Sequence, residues 1–152
     1  HQTEAEAFLP RAAEALKAKG VQIKADPAAL KLMPGALAAD DDDWGREFLN
    51  LTLAVKVVPD FQAALDHIAL YGSNHTEVIA TRDEKRADRF LRWVEAGCVM
   101  VNASSRLNDG GCLGLGAEIG ISTTRLHAYG PMGLRELTTT RFIVTGDGQI
   151  RE

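Results

Sequence analysis

The stretch "LTLAVKVVPDFQAALDHIALYGSNHTEVIATRDEKRADRFLRWVEAGCVMVNA", Leu51 to Ala103, decides how this chain folds. It opens on a nearly unbroken apolar run, Leu51 to Val58, of strand length. "DFQAALDHIALYG" then reads as a helix, with Asp60 placed to accept the free N–H groups of the first turn and Gly72 at its end. "EVIATRD" is the next strand. "DEKRADRFLRWVEAG" is a second helix with Ala87, Phe90, Leu91 and Val94 on its inner face, and "CVMVNA" is a third strand. Continuous apolar strands joined by helices in the order β-α-β-α-β predict an α/β fold with a parallel sheet covered on both sides and right-handed crossovers. Ligands of such sheets gather where the strands end. The third strand ends in "VNASSRLNDGG".

Upstream, "EAEAFLPRAAEALKAK" places Ala5, Phe8, Leu9, Ala12 and Leu16 on one helical face, with Pro10 expected in the first turns and Gly20 as terminator. "VQIKA" reads as a short strand. "DPAALKLM" reads as a short helix capped by Asp26 with Pro27 at its first position. The acidic run Asp40 to Asp43 is expected to be a solvated loop and not a metal site, because consecutive aspartates cannot all converge on one ion.

At 152 residues and 16.4 kDa, with 45% hydrophobic and 25% charged residues, the chain has the make-up of a globular domain with a sizeable core. Its formal net charge of -4 and pI near 5.6 provide no basic field to neutralise phosphate backbones, so nucleic acid is not an expected partner. No apolar run approaches the ~20 residues of a membrane span, and the amino terminus has no basic start leading into an apolar segment. Cys98 and Cys112 are too few for a disulfide framework, so a reducing cytoplasm is expected. The first residue is His1 and not Met, as in a processed chain or a part of something longer.

The passage "DGGCLGLGAEIGIST", Asp109 to Thr123, looks like a loop that cradles phosphate. The dinucleotide fingerprint needs G-x-G-x-x-G between a strand and a helix, whereas Gly114, Gly116 and Gly120 are spaced G-x-G-x-x-x-G. No Gly-Lys-Ser or Gly-Lys-Thr follows either. The glycines are therefore read as permitting close backbone approach and unusual dihedrals, with Glu118 anchoring the turn through backbone hydrogen bonds.

"REFLNLTLAVKVV", "YGSNHTEVIATRD", "VNASSR", "GLGAEIGIST" and "LHAYGPMGLRELTTTRFIVTGDGQIR" occur in an order that resembles the carboxyl-terminal part of the gamma-glutamyl phosphate reductases, also called glutamate-5-semialdehyde dehydrogenases, of the aldehyde dehydrogenase superfamily. The resemblance covers essentially the whole chain. It implies NADPH-dependent reduction of gamma-glutamyl phosphate to glutamate 5-semialdehyde with release of phosphate, a step of proline biosynthesis. It also implies that residues 1–137 supply most of a catalytic α/β domain of the aldehyde dehydrogenase-like fold. Residues 138–152 would then form a strand that pairs with a neighbouring subunit in a homo-oligomer. The amino-terminal cofactor domain and the nucleophilic cysteine are expected outside this chain, and neither Cys98 nor Cys112 has the neighbouring base or surrounding sequence to replace that cysteine.

The resemblance also distributes roles. Glu47 in "REFLNL" matches the superfamily glutamate that accepts hydrogen bonds from the nicotinamide ribose, and Leu49 stands where an apolar residue packs nearby, although Asn50-Leu51 replace the usual Gly-Pro. A substrate with an amino-acid head group needs a cation for its carboxylate and oxygen acceptors for its ammonium. Arg106 offers the planar fork suited to a carboxylate or phosphate, and Asn102, Ser104 and Ser105 could complete a polar pocket. His75 in "YGSNHTEV" is a further candidate for lining the site. Two other classes of function compete: a non-catalytic binding or assembly module using the terminal strand, and a phosphate-binding regulatory domain using the glycine loop as an anion nest.

Overall fold

The computed structural model describes residues 1–151. Helix α1 (Gln2–Lys17) buries Ala5, Leu9 and Ala13, at i, i+4 spacing, against strand β1 (Gln22–Ala25). Ile23 and Ala25 of β1 face this core together with Ala29 and Met33. Phe8, expected on the inner face of α1, is 62% exposed, because the buried row runs through Leu9 and leaves Phe8 to one side. Pro10 lies in the middle of α1 and not in its first turns. It is tolerated on the exposed side, where water reaches the Glu6 carbonyl that loses its helical donor.

Helix α2 (Pro27–Leu30) starts as the sequence predicts: Asp26 Oδ1 accepts the Ala29 N–H at 2.9 Å. The same oxygen accepts the Val57 N–H at 3.3 Å, which joins the start of α2 to the chain leaving the third strand. Strands β2 (Leu37–Ala38) and β3 (Thr52–Val55) flank β1 in a parallel sheet of order β2-β1-β3, with Ile23 opposite Leu53. β3 is shorter than the apolar run Leu51–Val58, since the ladder gives way to the Asp26 contact at Val57.

The acidic run is not a solvated loop throughout. Asp41–Asp43 form a 3-10 turn capped by Asp40, and Asp43 is 1% exposed. Its Oδ1 accepts from Lys24 Nζ at 2.6 Å and its Oδ2 from the Asp40 N–H at 3.0 Å. A buried carboxylate is tolerable when it is paired and hydrogen-bonded in this way.

Helix α3 (Phe61–Tyr71) is capped by Asp60, whose carboxylate accepts the Ala63 N–H at 2.8 Å. Strand β4 (Thr76–Ile79), helix α4 (Glu84–Trp93) and strand β5 (Cys98–Val101) follow, with β4 and β5 parallel. Leu65, Phe90 and Val94 form their core; Leu91, expected inside, is 49% exposed. The elements between Leu51 and Ala103 thus occur in the predicted order, but their strands do not make one sheet. β3 pairs with β1, a distant partner that local sequence does not reveal, and β4 pairs with β5. β3 and β4 each keep an edge without a strand partner among the described residues.

Beyond β5 the glycine-rich passage folds back on itself. A Cβ on Gly110 would lie 2.5 Å from the Ala117 carbonyl oxygen, so glycine is required for the approach, and Glu118 Oε2 accepts the Gly110 N–H at 2.9 Å as an anchor of the turn. Strands β6 (Gly120–Ser122) and β7 (Gly130–Met132) pair antiparallel. Gly130, at φ 98°, presses on the Gly97 carbonyl, where a Cβ would come within 2.9 Å. The expected terminal strand "TTTRFIVTG" forms no ladder among the described residues, and Phe142 and Val144 are 99% and 88% exposed. No helix among the described residues is long and apolar enough to cross a membrane.

Asp26→Ala removes a helix cap and the link to Val57 together, and is expected to cost about 1–2 kcal/mol in urea unfolding, with Asp26→Asn retaining most of the stability. The Lys24 hydrogen bond, and then the Asp40 N–H, hold the Asp43 carboxyl below its ordinary value of 3.8. A lowered carboxyl stabilises the fold above its unfolded pKa, and that stabilisation disappears as pH falls through the lower folded value. The melting-temperature gap between wild type and Asp43→Asn is therefore expected to be flat above about pH 5 and to narrow below pH 3.8.

Candidate active site

The predicted site residues fall at three places. The first is the carboxyl end of the β4–β5 pair. Asn102, at φ 53°, directs both side-chain heteroatoms at Thr81: Oδ1 accepts the Thr81 N–H and Nδ2 donates to the Thr81 carbonyl, each at 2.8 Å. Its own N–H reaches the Ile79 carbonyl at 2.8 Å. Asn102 therefore clasps the two strand ends, and what it presents to a cleft is the segment it holds, Thr81 and Arg82. That cleft, about 980 Å³, is lined by apolar residues that include Val58, Phe61, Val78 and Phe90 and by polar ones that include Thr81, Arg82, Arg86 and Asn102.

The second place is the loop after β5. Ser104 caps a 3-10 turn (Ser105–Leu107) by accepting the Arg106 N–H at 3.3 Å, which leaves Ser105 and Arg106 exposed on the turn. Arg106 is close enough to Asp109 to contribute to lowering that carboxyl, after the larger effect of the Cys112 N–H at 2.9 Å. The turn delivers Asn108 to the amino end of β4, where Asn108 Nδ2 donates to Thr76 Oγ1 at 2.8 Å and His75 Nδ1 meets the same hydroxyl at 2.6 Å. Asn108 Oδ1 is buried and has no hydrogen-bond partner among the described residues. His75 and Asn102 thus stand at opposite ends of β4. From Thr76 to Thr81, at roughly 3.3 Å per strand residue, the separation is about 16 Å. His75 is brought together with Asn108, and Asn102 is not.

The third place is the loop before β3. Glu47 is exposed and makes no described hydrogen bond, while Leu49 is 86% exposed at φ 54°. Leu49 is thus a branched apolar side chain held outward in left-handed backbone, a conformation such residues rarely adopt. Next to it lies a cavity of about 420 Å³ lined by residues including Arg46, Phe48, Lys56 and His67. Lys56 Nζ sits 5.1 Å from the Trp44 ring centre and 5.8 Å from that of Tyr71, and His67 packs between the same two rings. Desolvation, and then the Lys56 charge, push the His67 pKa below its ordinary value, so the ring is neutral near pH 7.

Sequence reasoning missed Lys56 and His67 here, and Thr81 and Arg82 at the first cleft. Lys56 was marked by its charge inside the apolar run "LTLAVKVV", and Arg82 by its place at a strand end equivalent to that of "NASSR". His67 carried no signal, since its environment comes from Trp44 and Tyr71. Of the two cysteines, Cys112 is exposed and Cys98 half-buried, and burial pushes the Cys98 thiol up, away from the reactive thiolate.

No protein-family model matches the chain. Gamma-glutamyl phosphate reductase of Xanthomonas campestris pv. campestris (strain B100) is 58% identical over 151 residues, covering 99% of this chain and 36% of the relative. Gamma-glutamyl phosphate reductase of Nitratidesulfovibrio vulgaris (strain DP4) is 60% identical over 153 residues, again covering 36% of the relative. The crystal structure of gamma-glutamyl phosphate reductase from Thermotoga maritima matches all of this chain and 37% of its own, with a TM-score of 0.90 and 44% identity. That of the Saccharomyces cerevisiae enzyme matches 71% of this chain and 29% of its own, with a TM-score of 0.54 and 27% identity. The chain thus spans a little over a third of the curated relatives it matches. In sequence and in backbone, the whole chain matches a segment of the gamma-glutamyl phosphate reductases, a little over a third of their length.

Proposed function

We propose that this chain is the part of an NADPH-dependent gamma-glutamyl phosphate reductase that holds the nicotinamide ribose and offers polar contacts to the acyl phosphate. The observation that carries the reading is the match in sequence and backbone over essentially the whole chain. The full-length enzyme would reduce gamma-glutamyl phosphate to glutamate 5-semialdehyde with release of phosphate, in the cytoplasm and in the service of proline biosynthesis. The covalent step belongs to a cysteine outside this chain, and an amino-terminal cofactor domain of the same enzyme is its first partner.

The residues fit a nicotinamide cofactor at the loop before β3. Glu47 has an uncommitted carboxylate, the acceptor that a pair of ribose hydroxyls requires, and Leu49 presents an uncovered apolar surface beside it. When bound, NADPH supplies the hydride. Glu47 fixes the sugar, and Leu49 shields one side of the site from water. On the substrate side, the guanidinium of Arg106 takes the carboxylate or phosphate in bidentate fashion, while Ser104 and Ser105 offer hydroxyl acceptors to the ammonium. Asn102 holds the strand ends in place, and His75 orders the far side of the same loop through Thr76 and Asn108. The exposed Phe142 and Val144 suit a terminal segment that gains a partner sheet in a homo-oligomer.

In the full-length enzyme, Glu47→Gln is expected to raise the KM for NADPH several-fold or more while changing the KM for the substrate little, as measured by steady-state kinetics with each reactant varied. Arg106→Ala is expected to lower kcat/KM for the acyl phosphate by about ten- to a hundredfold, as loss of a charge-assisted hydrogen bond of roughly 1.5–3 kcal/mol requires, with Arg106→Lys falling between Ala and wild type. Near-normal kcat/KM in Arg106→Ala with an unchanged melting temperature would remove Arg106 from the substrate site.

A further inference from the structure

Among the described residues no hydrogen bond sets where the Glu47 carboxylate points, so its geometry depends on what holds the flanks of its loop. Both flanks lead to one side chain. On the near side, the Lys24 ammonium is 2.6 Å from Oδ1 of Asp43, whose other oxygen closes the 3-10 turn on the Asp40 N–H. On the far side, the same ammonium lies 5.9 Å from the ring centre of Phe48, the residue between Glu47 and Leu49. Arg46 approaches that ring at 5.6 Å. Between the two ties, Gly45 takes φ 75° under the Tyr71 carbonyl, where a Cβ would meet the oxygen at 3.0 Å.

The rigidity behind these ties comes from β1. Lys24 is an interior residue of that strand, in register with Leu37 of β2 and Ala54 of β3. Successive strand residues point to opposite faces, so Ile23 and Ala25 enter the core while Lys24 is delivered to the loop. A small shift of Lys24 would move the loop at both ends, and misplacement by an ångström is enough to weaken a bound reactant severely.

We infer that Lys24, with Asp43, is a positioning residue for cofactor binding: it holds the Glu47–Leu49 loop in the conformation that receives the nicotinamide ribose. This rests on the function proposed above and extends it to residues that touch neither reactant. A purely structural ion pair would affect stability and both reactants alike. A positioning pair acts on one reactant.

The test uses the full-length enzyme, assayed from glutamate 5-semialdehyde, phosphate and NADP⁺, with NADPH binding followed by the fluorescence of the reduced nicotinamide. Lys24→Gln, which keeps an N–H donor for Asp43, is expected to weaken NADPH binding by about tenfold or more while leaving the KM for phosphate within about twofold. Hydrogen exchange without cofactor is expected to speed up across residues 40–50 and to stay slow in β1 and β3. Lys24→Arg is expected to recover most of the affinity. Phe48→Leu, which cuts the far tie alone, is expected to weaken NADPH binding by a smaller factor and supplies the test if Lys24→Gln fails to fold. Wild-type NADPH affinity in the folded variants would overturn the inference, as would a uniform loss of both reactants with faster exchange throughout the sheet. A wild-type enzyme that fails to bind NADPH would overturn the proposed function, and this inference with it. Normal wild-type binding with unaffected variants would remove the inference alone.

Discussion

A strand has two edges, and among the described residues β1 is the strand that fills both of its own, with β2 on one side and β3 on the other. The rest of the first half is referenced to it. Ile23 and Ala25 leave one face to meet α1 and α2, and Lys24 leaves the other to meet a buried carboxylate. The alternation of a strand thus decides on which side apolar packing ends and electrostatics begins. Lys24 has little choice once Asp43 is there. An unpaired carboxylate at 1% exposure would cost far more than ordering one lysine side chain.

Much of the local structure is legible in the sequence because it is decided locally. Asp26 and Asp60 stand where helix starts need acceptors, and both accept N–H groups of the helices that follow them. The glycine passage was legible by its spacing, which excluded a dinucleotide loop, and the contact of Gly110 with Ala117 supplies what its composition was for. What was not legible depends on residues far apart. Nothing in "LTLAVKVV" says that its partner is "VQIKA" and not "EVIATRD". A run of aspartates reads as solvated until Lys24, nineteen positions away, is known to face it. Leu91 and Phe8 sat on plausible inner faces, but the width of each buried stripe is set by the neighbour it meets.

The candidate site divides in the same way. Glu47 and Leu49 were reached through a resemblance, and so was the loop with Arg106; their surroundings were not. At Asn102 the structure adds contacts that the sequence does not reveal. Its residue type matches a polar pocket, and both heteroatoms of its amide also bond to Thr81, so it ties the strand ends at the cleft that it lines. A strained φ is then understandable: two side-chain hydrogen bonds offset the cost of left-handed backbone at a residue type that tolerates it.

The open edges of β3 and β4 bear on how such a protein can be divided. A segment bounded by these edges carries its own helices and two small cores, yet it leaves strand backbone without partners on either side of an apolar cleft. Detached from its context, such a surface is a template for whatever extended chain arrives first, including another copy. A module that is exchanged freely between proteins keeps its edges covered. Among the described residues these edges are open, so moving residues 1–151 alone into another protein would carry an aggregation hazard along with any chemistry.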